Sequence, residues 1–225
     1  MRLKILHLFL KVDKQFSHSA TQLRGFLGNK FKGFTELHHH LSTRRGAKLL
    51  YSYPKIQYKI HQNFAIILGI GTRCISTLRH VVMNLDKLEL NNTVYKIEEI
   101  KANYEEPEFR LTKKDSVQRY EFYTPWLALN ETNYRKFQDS SLSERRELLN
   151  RILIGNILSV SKSLNYTVPD TIYTETELYP ISTKYKDVKM VGFKGKFEVN
   201  FLIPDYMGLG KGVSHGFGAV KRING

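Results

Sequence analysis

The sequence predicts an α+β protein made of two tandem ferredoxin-like domains with antiparallel sheets. Three observations predict it. The chain has 225 residues, room for two domains of about 110 residues each. The elements predicted in its first half run β-α-β-β-α-β, the ferredoxin-like order. An acidic break containing a proline, Tyr104-Glu-Glu-Pro-Glu108, is followed by fresh strand and helix patterns. We place the domains at residues 1–105 and 106–225.

The first strand is read from Leu6, Leu8, Leu10 and Val12, which alternate with His7, Phe9 and Lys11 at the two-residue period of a pleated chain. Ser17 or Ser19 then caps a helix whose apolar face is Leu23, Phe26, Leu27 and Phe31. After a basic stretch from Gly33 to Lys48 come two strand-like runs, Tyr51 to Ile60 and Phe64 to Ile70, turning near Gln62 and Asn63. Thr72 caps a second helix carrying Ile75, Leu78, Val82 and Leu85, and an extended run follows over Thr93 to Ala102. In the second half, Gln118 to Leu129 reads as extended. Leu148, Leu149, Ile152, Leu153, Ile157 and Val160 mark an amphipathic helix with Ser143 as N-cap. Val191 to Phe201 is a strand with Val191, Phe193, Phe197, Val199 and Phe201 on one face; Lys194, Lys196, Glu198 and Asn200 lie on the other. RNA-recognition domains share this architecture, although a fold alone does not fix a function.

Composition narrows the partners. Lys and Arg outnumber Asp and Glu by 35 to 21, a formal charge of +14, and such an excess draws polyanions, nucleic acid first among them. The single cysteine, Cys74, excludes an internal disulfide and a zinc site built on cysteine pairs, and fits a reducing, cytoplasmic setting. Its place in an apolar helical pattern predicts a buried thiol rather than a nucleophile. The apolar start of the chain is interrupted by His7 and Lys11 and lacks a small-residue cleavage site. No apolar run reaches bilayer-spanning length, so neither export nor a membrane partner is expected.

Residues 208 to 218 read G-L-G-K-G-V-S-H-G-F-G, with Lys221 and Arg222 beyond. Glycines let a backbone approach a ligand closely and turn its N–H groups toward an anion. The P-loop and dinucleotide glycine patterns are both absent. What remains is a loop into a last strand, Phe217 to Ile223, read either as a flexible turn or, by preference, as a phosphate contact through Gly208, Gly210, Lys211, Gly212, Ser214 and His215.

His38, His39 and His40 are consecutive, flanked by Lys30 and Lys32 and by Arg44, Arg45 and Lys48, with Tyr51 and Tyr53 beyond. In extended chain His38 and His40 project to one side. Three readings stay open: a surface histidine run, a metal site lacking its remaining ligands, and acid–base chemistry on RNA. In the third, an imidazole takes the proton of a 2′-hydroxyl and another protonates the leaving 5′-oxygen, while nearby Lys and Tyr groups stabilise the phosphate.

Four stretches carry a family resemblance: Leu23-Arg-Gly-Phe26; Leu37-His-His-His40 with Tyr51-Ser-Tyr-Pro-Lys-Ile-Gln-Tyr-Lys59; Tyr123-Thr-Pro-Trp-Leu-Ala-Leu-Asn130; and the Gly208 to Gly218 loop. Together they resemble the CRISPR repeat-RNA processing endoribonucleases of the repeat-associated (RAMP) superfamily, Cas-six type. The resemblance implies tandem ferredoxin-like domains and cleavage within CRISPR repeats without metal or cofactor. It implies 5′-hydroxyl and 2′,3′-cyclic phosphate ends, and mature guide RNA as product. It places the catalytic pair at His38 and His40; Tyr51 and Lys30 are supporting candidates on their charge chemistry and nearness in sequence. Arg24, Arg44, Arg45, Lys194, Lys196, Lys211, Lys221 and Arg222 become candidate RNA contacts beside the glycine loop. Precursor and mature repeat RNA are the expected partners, with other CRISPR effector subunits and a second copy of the chain as further candidates. A non-catalytic RNA-binding subunit of an effector assembly is the alternative.

Overall fold

The computed structural model describes residues 1–38, 53–186 and 188–223, with His38 described by its backbone only. The chain divides into two compact units: Arg2–Pro107 with Ser214–Gly216, and Met1 with Glu108–Val213 and Phe217–Gly225.

In the first unit, β1 (Ile5–Val12) is followed by α1 (Ala20–Lys30), a short α2 (Thr35–His38), the hairpin of β2 (Ile56–His61) and β3 (Phe64–Ile70), α3 (Thr72–Met83), β4 (Lys87–Leu90) and β5 (Thr93–Glu105). The strands lie in the order β2-β3-β1-β5-β4, all antiparallel. Without β4 this is the ferredoxin-like arrangement; β4 adds a short edge pairing with the start of β5. The alternation read in β1 sets the layers. Leu6, Leu8, Leu10 and Val12 join Tyr58, Ala65, Ile67 and Tyr95 in one core with Leu23 and Leu27 of α1 and Ile75, Leu78 and Val81 of α3. Each such fully buried aliphatic side chain contributes about 1.5–3 kcal/mol. Ser19 is the N-cap of α1: Gln22 Oε1 accepts from its backbone N–H at 2.8 Å. The cap of α3 is Gly71 rather than Thr72, because the turn out of β3 takes a positive φ there. Leu85 lies past the helix end, though it is buried. Cys74 is buried and burial pushes its thiol up to about 11, which suits packing and not nucleophilic attack.

The other face of this sheet is buried as well, and it is not purely apolar. Ile5, Ile66, Leu68 and Ile70 share it with His7, Gln57 and Lys59. Lys59 donates to Gln57 Oε1 at 3.0 Å, and Gln57 donates to the Pro54 carbonyl at 3.0 Å. Burial holds the Lys59 amine well below the usual lysine range.

The second unit contains β6 (Arg110–Leu111), β7 (Gln118–Phe122), α4 (Glu131–Asp139), α5 (Leu142–Ser163), β8 (Thr174–Tyr185), β9 (Val188–Val199), β10 (Phe201–Leu202) and β11 (Val220–Arg222). Its main sheet runs β11-β7-β9-β8, again the ferredoxin-like order, but a second helix is replaced by an irregular segment between β10 and β11. Tyr120, Phe122, Trp126, Phe193 and Phe197 fill the core, with Phe122 stacked on Trp126 at 5.0 Å between ring centres. Leu149, Leu153 and Ile157 of α5 are buried with them. The cap of α5 is Ser141, not Ser143: its hydroxyl accepts from Glu144 N–H while Glu144 accepts from Ser141 N–H at 2.7 Å, a reciprocal capping box. The run read as extended over Gln118 to Leu129 is strand only to Phe122, then bends at Pro125 into bridges at Trp126 and Leu127.

Asn200, expected on the polar face of its strand, is instead buried at the break between β9 and β10. Its Oδ1 accepts from Tyr173 N–H at 2.7 Å, and its Nδ2 donates to the carbonyls of Thr171 at 3.1 Å and Thr112 at 3.5 Å. Two chain segments, one at Thr112 and one at Thr171 to Tyr173, lean on this amide. Asn200→Ala leaves buried backbone groups without partners and is expected to lower unfolding stability by about 2 kcal/mol, read as a lower urea midpoint at unchanged slope.

Candidate nucleic-acid interface

Helix α1 presents Arg24 and Lys30. Arg24 is half-buried, and one of its guanidinium nitrogens lies 2.8 Å from His215 Nε2. Thr21 Oγ1 lies 3.0 Å from Nδ1 of the same ring. Lys30 pairs with Asp86 at 2.9 Å and sits over the Phe26 ring at 5.9 Å. Beyond α1 the chain turns into α2, where Leu37 is buried and its carbonyl accepts from the Tyr58 hydroxyl at 3.3 Å; Glu36 pairs with Arg73. The core thus anchors the residue directly before the histidine run. His38 is the last helical residue, so the extended-chain geometry read from sequence does not hold at that position. His40, Arg44, Arg45 and Tyr51 lie outside the described residues, as does the His38 side chain.

Four backbone N–H groups tie the glycine-rich loop down. Leu209 N–H donates to Gly218 O at 2.9 Å, Gly218 N–H to Pro125 O at 2.8 Å, Phe217 N–H to Gly212 O at 3.3 Å and Lys211 N–H to Leu127 O at 3.4 Å. Glycine is required at 218 by close approach: φ is +66°, and a Cβ there would stand 1.9 Å from the Leu209 carbonyl oxygen. Gly208 is buried, while Gly210 and Lys211 are exposed. The candidates within the loop are divided: Lys211 and its glycines belong to the second unit, Ser214 and His215 to the first. No cluster of three or more His, Cys, Asp or Glu suited to a metal ion occurs among the described residues.

Lys211 meets residues that the sequence reading passed over. Its Nζ lies 5.6 Å from the centre of the Tyr185 ring, as does that of Lys186, and Phe217 meets the same ring edge-on at 5.6 Å. Tyr185 ends β8, and in the β8–β9 hairpin Lys184 stands directly opposite Lys189. Lys186 and Lys211 thus flank the Tyr185 ring, and at the same hairpin end Lys184 and Lys189 are like charges facing each other across strands, which repel. The local signal was the alternation Lys184-Tyr-Lys186, lost because β8 was not read as a strand.

The other second-unit candidates stand differently. Lys194 is half-buried, donates to the Tyr123 carbonyl at 2.8 Å, and has its pKa lowered by burial. Lys196 and Lys221 flank Glu121 in one cross-strand row. On this face, opposite the aromatic core, they alternate with Glu121, Glu175, Glu177 and Glu198, and Arg119 is spent on Glu198 at 2.9 Å. The sheet face therefore carries charges of both signs. Arg222 is exposed, and its backbone N–H donates to Asp205 Oδ1 at 2.8 Å.

Comparison with known proteins places this geometry. The family model for the Cas6b N-terminal domain matches residues 1–108, and that for the Cas6b C-terminal domain matches residues 112–223. A solved Cas6b structure is 35% identical, with 99% of this chain and all of that chain covered, at a TM-score of 0.88. A second, a Cas6b described as a CRISPR RNA processing endoribonuclease, is 32% identical over 99% of this chain and all of its own, at a TM-score of 0.75. An uncharacterised protein of Methanocaldococcus jannaschii is 40% identical over 144 residues, which are 64% of this chain and 97% of that protein. Two domain models laid end to end, on a pair of ferredoxin-like units, leave one assignment: the chain belongs to the Cas6b family.

Proposed function

We propose that the chain cuts precursor CRISPR RNA within its repeats and releases mature guide RNA. Kinship over the full length with a Cas6b protein described as a CRISPR RNA processing endoribonuclease carries this reading. In the mechanism we infer, one imidazole of His38 and His40 takes the proton from a ribose 2′-hydroxyl. O2′ forms a bond to the adjacent phosphorus as the bond to O5′ breaks, and the other imidazole delivers a proton to O5′. The products are a 2′,3′-cyclic phosphate and a 5′-hydroxyl; no water is consumed, and neither metal nor cofactor takes part. Lys30 and Tyr51 are the supporting candidates for charge on the phosphate oxygens. Lys186 and Lys211 beside Tyr185, with the facing pair Lys184 and Lys189 at the same hairpin end, support RNA holding: a polyanion relieves the repulsion among them and releases counterions. Other effector subunits and a second copy of the chain are the further partners of this reading.

The experiment is cleavage of a repeat RNA in excess EDTA, then of the same RNA with a single 2′-deoxy substitution at the cut site. Full activity on the first and none on the second is the expected pair of results. Cleavage of the deoxy substrate would contradict attack by the 2′-hydroxyl, and loss of cleavage in EDTA would contradict the metal-free step. Binding of both RNAs with cleavage of neither would favour a non-catalytic subunit.

A further inference from the structure

We propose that His215 is a positioning residue: a neutral imidazole that fixes the Arg24 guanidinium against an RNA phosphate. This rests on the reading that the chain binds repeat RNA. A guanidinium can only donate hydrogen bonds, so the 2.8 Å contact between Arg24 and His215 makes Nε2 the acceptor. The ring proton then belongs on Nδ1, where Thr21 Oγ1 lies 3.0 Å away to receive it. His215 is therefore no phosphate-binding cation, although glycines and lysines surround it in the sequence. It is held in place by its neighbour. Gly216 has a φ of +96°, and a Cβ there would meet Ala20 Cβ at 2.7 Å and the Tyr58 carbonyl oxygen at 3.2 Å. Only a bare backbone lies this close to α1.

A second observation points to the same helical surface. Gly25, next to Arg24, is exposed in the middle of α1, and a Cβ there would meet none of the described residues within 4 Å. An exposed glycine inside a helix weakens it, and among the described residues nothing packs closely enough to require one at that position. Its use is clearance for a phosphodiester backbone reaching Arg24.

The test is binding of repeat RNA carrying 2′-deoxyribose at the cut site, by anisotropy at fixed salt, with thermal midpoints measured in parallel. Arg24→Ala and His215→Ala are each expected to weaken binding about tenfold. The double variant should be no weaker than Arg24→Ala, because His215 acts only through Arg24. His215→Gln, whose amide oxygen still accepts from Arg24, should stay within about threefold of the wild type. Gly25→Leu, which leaves the fold undisturbed, should also weaken binding about tenfold. Losses that multiply in the double variant would overturn the proposal, as would His215→Gln behaving like His215→Ala or normal binding by Gly25→Leu. Failure of the wild type to bind repeat RNA would instead refute the parent reading, so the two failures are distinct.

Discussion

His40→Ala is expected to slow repeat-RNA cleavage about a thousandfold while RNA affinity stays within a factor of two. A general acid or base contributes most of its effect in the transition state, where a proton is in flight, and little in the ground state, where the RNA is held by charge. The rate constant should therefore collapse under single-turnover conditions with enzyme in excess, and the binding curve should not move. His38→Ala belongs to the same test. Two imidazoles acting as an acid–base pair give the wild type a bell-shaped rate profile around neutral pH, and each single variant should lose one limb of it. Full activity in His40→Ala would remove the histidine pair from the mechanism. Equal losses of binding and rate would make the histidines part of RNA holding instead.

Lys59→Met is expected to stabilise the protein, and by an amount that depends on pH. The folded state holds the amine fully buried, and burial pushes its pKa well below the lysine value, whereas the unfolded chain keeps the ordinary value near 10.4. Between those two values the unfolded state binds the extra proton. Stability thus rises as pH rises through that window, by roughly 1 kcal/mol for each pH unit. Below the folded pKa the full penalty remains; above about pH 10.4 it vanishes. Methionine keeps the length of the side chain and removes the proton, at the cost of the donor to Gln57 Oε1. Urea unfolding of both proteins at a series of pH values approaching about 10 should show the gain from Lys59→Met shrinking toward alkaline pH. A gain that does not change with pH, or a destabilised variant at neutral pH, would refute the claim that the lysine is buried without charge.

The parts of the fold that a single sequence revealed are those where one face is buried and the other is not. Leu6 to Val12 alternate cleanly because their helix-facing side is uniformly aliphatic. The second helix of the first unit was legible because Ile75, Leu78 and Val82 recur at helical spacing. What failed follows from the same physics. Strand β8 (Thr174–Tyr185) pairs through all twelve residues with β9, yet it is an edge strand with few buried side chains, so it offers no alternation. Helix α4 has no buried residue and left no apolar stripe to read. Asn200 looks like one more outward polar residue until its three bonds to the 171–173 segment and Thr112 are seen. For the candidate site, Arg24 and His215 are 191 positions apart, a separation that no local pattern spans. Their pairing needed the fold, whereas the histidine run itself was visible in three adjacent letters.

Neither compact unit is assembled from a continuous piece of chain. Met1 exchanges backbone hydrogen bonds with Phe109, at 2.8 and 3.2 Å, and counts with the second unit, while Ser214–Gly216 count with the first. Expressing the halves separately, with a break after Pro107, would therefore strip each product of a fragment carried by the other half of the sequence. Swapping one half between relatives would carry the same defect, and an intact graft would need both the opening methionine and the tripeptide at 214–216 to travel with their adopted partners.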